Sequence, residues 1–241
     1  MRGVLLVARR EVAAYLNSMW GYIVVAAVLL LDGILFNAFA LTETPRYSAD
    51  VLRDFFYFSF GTTAVAAILL TMRLLAEERQ AGTMTLLDAS PLRDWQIVLG
   101  KYLSALAVLA GLTLASGYMP ALILVNGNVS AGHVFAGFLG LFLVGSACAA
   151  AGTFGSAVAR NQLVAAVIGA ALVVFLLTTW MLARVSDPPL KDILAFMSLF
   201  DKHYRGFMGG RIALESLVYY LSVSFVFLSL STHWLSARRW R

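Results

Sequence analysis

The residues able to do chemistry are few and scattered. The densest group is acidic: Glu77 and Glu78 adjoin Arg79, and Asp88 and Asp94 follow in the same stretch. Carboxylates can hold a metal or act as acid and base, but the helical spacing here offers no clear metal geometry. His133, His203 and His233 are far apart, and no Cys/His or H-E-x-x-H pattern joins them. Gly100-Lys101 lacks the upstream Gly and the following Ser or Thr of a phosphate-binding loop, so the chain is not expected to hydrolyse ATP itself. Gly206, Gly209 and Gly210 follow no strand and make no dinucleotide site, and there is no G-x-S-x-G. No catalytic residue, metal ligand or cofactor is therefore assigned. Asp32 stands alone in an apolar run, where a charge costs about 2.5–3.5 kcal/mol on insertion scales. It either faces a translocation path or a seam between subunits, or is protonated or bonded to Asn37 or a neighbouring Ser or Thr.

The elements that position these residues follow from composition. Of 241 residues, 61% are hydrophobic and 13% charged. Soluble domains carry roughly 45–50% apolar and about 25% charged residues. The excess needs lipid as solvent, where helices satisfy their own backbone groups. The net charge of +5 sits between apolar runs and not on one water-facing surface, which argues against nucleic acid as a partner. The short apolar run after Met1-Arg2-Gly3 is interrupted by Arg9, Arg10 and Glu11, so it lacks the form of a signal peptide. The one cysteine, Cys148, permits no intrachain disulfide.

A spanning helix needs roughly 20 mostly apolar residues. Six runs qualify, at about 19–41, 55–75, 102–125, 134–158, 163–182 and 216–235. With six spans both termini lie on one side. That side collects Arg2, Arg9, Arg10, Arg73, Arg79, Arg93, Lys101, Arg160, Arg238, Arg239 and Arg241, eleven of the 18 basic residues, against seven opposite. The excess places both termini in the cytoplasm. The whole chain, 1–241, reads as a single transmembrane domain.

Residues 3–16 predict an amphipathic surface helix, with Val4, Leu5, Ala8, Val12, Tyr15 and Leu16 on one face and Arg10 and Asn17 on the other. Residues 42–54 form a small external loop. Residues 183–215 form a longer external segment, whose apolar stretch Ile193 to Phe200 is too short to span and lies at the interface or dips in and returns. In the loop 76–101 the second span is expected to continue as one charged helix through Glu77, Glu78 and Arg79. Gly82 ends it, and Thr83 to Ala89 makes a short amphipathic helix. Ser90 then caps the next helix with Pro91 at its first position, leading through Trp95 into span three. The result is a short helix suited to docking into a groove on a partner, although a solvated inter-span loop is the plainer alternative.

The stretch Glu77-Glu-Arg-Gln-Ala-Gly-Thr-Met-Thr-Leu-Leu-Asp-Ala-Ser-Pro-Leu-Arg-Asp-Trp-Gln-Ile-Val-Leu-Gly-Lys101 resembles type-2 ABC exporter permeases. Arg205-Gly206-Phe207, Arg211 to Tyr220, the ending Ala237-Arg238-Arg239-Trp240 and the early Arg9-Arg10-Glu11 resemble the gliding-motility (GldF-like) group in particular. The resemblance implies an all-α integral membrane fold with an N-terminal connecting helix carrying Arg9, Arg10 and Glu11. It implies a cytoplasmic coupling helix and a re-entrant external segment between spans five and six. Glu77, Glu78, Arg79, Gly82, Thr83, Met84, Leu86, Leu87, Ser90 and Pro91 would form the loop that couples to a separate ABC ATPase, which itself binds ATP and Mg. A second permease copy or paralogue, and an auxiliary membrane protein with a large extracytoplasmic domain, are the further partners implied. The setting implied is a bacterial inner membrane. Asp32 is a departure that the family pattern does not by itself account for.

Other features have plainer readings. Ala147, Ala151, Gly155 and Ala159 repeat every fourth residue, which suits close packing against span five within one subunit or a dimer seam. Tyr219, Tyr220, Trp234 and Trp240 read as interfacial anchors, and Phe55, Phe56, Tyr57, Phe58 and Phe60 as an aromatic belt or a lipid-facing entrance. The expected function is export or force transmission powered by a partner ATPase. A secondary transporter would show inverted repeats and several intramembrane charges, and a lipid-modifying intramembrane enzyme would need a convergent polar cluster.

Overall fold

The computed structural model describes residues 2–40, 47–89, 91–127 and 129–239. It is all-helical among these residues. Six stretches are long and apolar enough to cross a membrane: Met19–Phe39, Ser48–Gln80, Asp94–Val125, Ala131–Val158, Gln162–Val185 and Leu214–Arg238. The elements are α1 (Arg2–Leu16), α2 (Met19–Leu35) with a wider π-type turn over Phe36–Ala40, α3 (Ser48–Thr71), α4 (Ala76–Gln80), α5 (Met84–Asp88), α6 (Asp94–Ala115), α7 (Tyr118–Asn126), α8 (Ala131–Val158), α9 (Gln162–Val185), α10 (Leu190–Met197), α11 (Tyr204–Met208) and α12 (Leu214–Arg239). Span two begins earlier than its apolar run implies, so residues 48–54 are helix and not loop.

Helix α8 is the centre of the bundle and packs on α3, α6, α9, α11 and α12. Its apolar window is 72% buried, against 28% for α9 and for α12, which leave most of theirs to lipid. Small residues permit this. A Cβ at Gly155 would stand 2.8 Å from the backbone nitrogen of Gly169 and 2.9 Å from Ala165 O, so α8 and α9 touch backbone to backbone. The four-residue repeat on span four therefore serves packing inside the subunit.

Two spans are interrupted. Span three breaks at Ser116–Gly117 between α6 and α7. Pro120 has no N–H to return to the carbonyl of Ser116, so the helix restarts there. Span two breaks at 72–75, and α4 is a separate short helix. The expected continuous helix from span two through Arg79 is thus not formed.

The segment after α9 folds back into the bundle. Leu199, Tyr204 and Phe207 are fully buried, and α11 lies against α8 and α3. Tyr204 Oη donates to Phe56 O at 2.8 Å. Tyr219 and Tyr220 are not interfacial anchors: both are buried, and their hydroxyls donate to Met197 O at 2.5 Å and Leu199 O at 2.6 Å. A buried phenol needs an acceptor, and the turn after α10 supplies carbonyls without helical partners. Phe55, Phe56 and Phe60 are likewise core and not a belt; only Tyr57 of the group is exposed. Trp234 is exposed as an anchor would be, and Trp240 lies outside the described residues.

Helix α1 lies along the start of α6. Its buried stripe is Val4, Val7 and Tyr15, whereas Leu5 and Leu16 are exposed. The predicted apolar face is therefore rotated. Gly100 decides this: a Cβ there would meet Val4 O and Val7 Cγ1, each at 2.9 Å, so the glycine gap draws Val7 in. The same rotation carries Glu11, one turn beyond Val7, towards α6.

Candidate functional site

At the end of the bundle where α1 begins and α12 ends, α1, α4 and the start of α6 converge on one lysine. Lys101 sits in the second turn of α6 with only 1% of its side chain exposed. Its Nζ lies 3.0 Å from Glu11 Oε1 on α1 and 2.8 Å from Glu78 Oε1 on α4. Arg10 Nη2 reaches the same two oxygens, at 2.8 Å and 3.4 Å. Two cations and two carboxylates thus form a closed, charge-balanced knot. Burial would raise the Glu11 carboxyl, but Lys101 and Arg10 outweigh it and hold it below the ordinary carboxylate value. Among the described residues Glu78 Oε2 is buried without a hydrogen-bond partner, so Glu78 is committed there through its other oxygen.

Three consecutive residues of α4 take three directions, because successive helical side chains are about 100° apart. Glu77 turns back and takes the Arg73 guanidinium by both oxygens, at 2.8 Å and 2.9 Å. Glu78 crosses to α6 and α1. Arg79 Nη1 donates at 2.6 Å to the carbonyl of Ala159, the cap residue that follows α8. Arg73 also donates to Ser18 Oγ, between α1 and α2, at 3.4 Å.

Gly82 ends α4 in the left-handed conformation, with φ +70°. Its N–H bonds Arg79 O at 3.2 Å, and the Thr83 N–H bonds Glu78 O at 2.9 Å, the paired closure of a Schellman cap. The chain then turns into α5. Leu87 is buried against Leu75, Ile97 and Ala157, with Met84 and Leu92 beside it, and this pins α5 to the bundle. Thr83 and Pro91 are exposed, Ser90 lies outside the described residues, and nothing is described of the Leu86 side chain. Helix α6 does not start at Pro91. It starts at Asp94, with Arg93 as its cap, because Gln96 Oε1 reaches back to accept the Arg93 N–H at 3.0 Å. Asp94 Oδ2 also accepts from Ser236 Oγ of α12 at 2.8 Å.

Of the sequence-selected residues, Arg10, Glu11 and Glu78 meet in the knot, while Arg9 stays exposed. Glu77, Arg79, Gly82 and Leu87 shape the elbow around it. Lys101 had no assigned role in the sequence, although it closes the motif string. Its signal is a lysine at the start of an apolar run with two spare carboxylates elsewhere. A cavity of about 290 Å³ remains between α1 and α4, lined by Glu11, Tyr15, Arg73, Glu77, Glu78 and Lys101 among others. Among the described residues, no group of three or more His, Cys, Asp or Glu is placed to hold a metal. The knot is suited to carrying force: displacing the elbow must move α1 and the start of α6 with it.

Asp32 is far from the knot in the fold. It is buried, and Thr62 Oγ1 of α3 donates to its Oδ1 at 2.6 Å, so its partner is a threonine on span two and not Asn37. Thr62 also lines an apolar groove of about 720 Å³ between α2, α3 and α9, whose rim carries the Asp201–Arg205 ion pair at 3.0 Å.

No curated protein is similar enough to the chain to count as a relative. A family model does match, over residues 5–198, well over half of the chain and including every residue of the knot. The match and the six apolar helices agree: the chain belongs to the ABC-2 family of transporter proteins, as a multi-pass membrane permease component of an ABC transporter.

Proposed function

We propose that a separate ABC ATPase, carrying ATP and Mg, drives this permease by pushing on the elbow formed by α4, Gly82 and α5. The observation that carries the reading is the Lys101 knot, which fastens the elbow to both the surface helix and span three. In this reading the elbow and both termini face the cytoplasm of a bacterial inner membrane. Two permeases, identical or paralogous, face each other over two ATPase subunits. The groove beside Asp32 and Thr62 is the candidate translocation path, and the work done is export or force transmission to an extracytoplasmic partner.

The gliding-motility assignment is part of this proposal. It rests on Arg9-Arg10-Glu11 and chiefly on residues 205–240, which lie beyond the 5–198 stretch of the family match. An auxiliary membrane protein with a large extracytoplasmic domain belongs to the same reading.

The test is a pull-down in mild detergent at native expression level, repeated with Glu78→Lys and Gly82→Pro. The first puts a third cation into the knot beside Lys101 and Arg10 and leaves Glu11 as its one carboxylate. The second imposes a φ near −65° where +70° is required. An ATPase that co-purifies with the wild type and is lost or uncoupled in both variants supports the proposal. A protein that is stable and active with no nucleotide-binding partner sinks it.

A further inference from the structure

We infer that Ser156 of span four is the positioning residue that makes the elbow move with α8 and not with α3, the span it follows in sequence. The inference rests on the ATPase-driven reading for its function, but not for its geometry.

In an unbroken helix the N–H of Leu75 would bond Thr71 O, and the N–H of Ala76 would bond Met72 O. Neither bond is made. Both N–H groups donate instead to Ser156 Oγ, at 2.9 Å and 3.0 Å, and the Ser156 hydroxyl donates in turn to Met72 O at 3.1 Å. One hydroxyl from another span thus stands inside the ladder of span two. A side chain inserted in this way is a recognised cause of a sharp break. The hydroxyl is fully buried, so no water replaces it.

The neighbouring residues make the break deliberate. Thr71, the last residue of α3, returns its hydroxyl to Ala67 O at 2.6 Å and so closes its own helix. Gly152, one turn before Ser156 on α8, lacks the Cβ that would collide with the Thr71 hydroxyl. Beyond the break, Arg79 binds Ala159 O at the end of α8. Helix α4 is therefore tied to α8 at both of its ends, and to α3 through the turn 72–75, at which the N–H groups of Leu75 and Ala76 leave the regular ladder. Force applied to the elbow reaches the central span directly and reaches span two across a hinge.

Two measurements test this. The first is amide hydrogen exchange in the permease alone in nanodiscs. Ser156→Ala should speed exchange at Leu75 and Ala76 by at least about tenfold, since both lose their acceptor. Ser156→Cys, close in size and a weaker hydrogen-bonding group, should fall between. Unchanged exchange at both amides in Ser156→Ala overturns the inference. The second uses spin labels in the permease–ATPase complex, at Gln80 paired with Arg160 or with Val65, with and without a non-hydrolysable ATP analogue. The Gln80–Arg160 separation should stay fixed while Gln80–Val65 changes. A nucleotide-dependent change in Gln80–Arg160 overturns the inference. If neither distance responds to nucleotide, the ATPase-driven reading fails, and the exchange result still decides whether Ser156 holds the break.

Discussion

Replacing Lys101 by methionine keeps most of the side-chain length and removes the ammonium. Two carboxylates, Glu11 and Glu78, each 16% exposed, are then left facing one another with Arg10 as their shared cation. Removing one member of a buried ion pair costs about 3–5 kcal/mol, because the partner charge stays buried. Arg10 is 62% exposed and keeps its bonds, which sets the loss near the lower end, about 3 kcal/mol. For a chain of this length that lowers the midpoint of thermal unfolding by roughly 6–12 °C. The assay is thermal unfolding in nanodiscs together with limited proteolysis of α1, which should detach first. Adding Glu78→Gln to Lys101→Met removes the stranded charge and should recover a large part of the loss. The pH dependence has a definite sign. The Glu11 carboxyl is held below its ordinary 4.5 in the folded protein, so its contribution is present above 4.5 and is lost as pH falls through the lowered value. A Lys101→Met protein that melts with the wild type, its α1 no more protease-sensitive, would refute the idea that the knot binds these helices together.

Gly155→Ala should destabilise by about 1–3 kcal/mol, since the new methyl meets backbone atoms of α9 that cannot turn aside, whereas Gly61→Ala, with nothing near, should be neutral; unfolding of both variants checks the pair. Gly82→Ala forces a side chain into the left-handed region and should cost about 1–2 kcal/mol, read as faster amide exchange at Gly82 and Thr83, whose N–H groups close the cap. His203, stacked 3.9 Å from Tyr219, is bonded at Nδ1 to Ser216 Oγ and at Nε2 to Phe196 O; burial, with Lys202 adding to it, holds its imidazole below 6.5, against smaller opposing effects of the Phe196 carbonyl and Glu215. The stability it contributes is present above pH 6.5 and lost as pH falls through the lowered value, and His203→Gln should flatten the slope of a melting-temperature profile over that range.

The spans were legible because the constraint is local. A helix in lipid needs about 20 apolar residues in a row, whatever surrounds it. The Gly82 cap was legible for the same reason: a left-handed cap is set by a few neighbouring residues. The start of α6 is set locally too, but by two competing signals. Ser90-Pro91 is a good cap signal, but Gln96 supplies a competing one three residues later.

Features set by contiguous runs of neighbouring residues could be read from the chain alone: six spans, an amphipathic helix before them, a capped elbow between the second and third. Tertiary structure decided which of those residues meet. Lys101 and Glu11 are 90 positions apart, and nothing local announces that they pair. Tyr219 and Tyr220 read as anchors until the turn after α10 presented carbonyls to their hydroxyls. Span two read as one helix until Ser156, 80 positions beyond Ala76, entered its ladder. In each case a buried polar group had to find a partner, and the partner lay on another helix, whose place is set by packing and not by sequence distance.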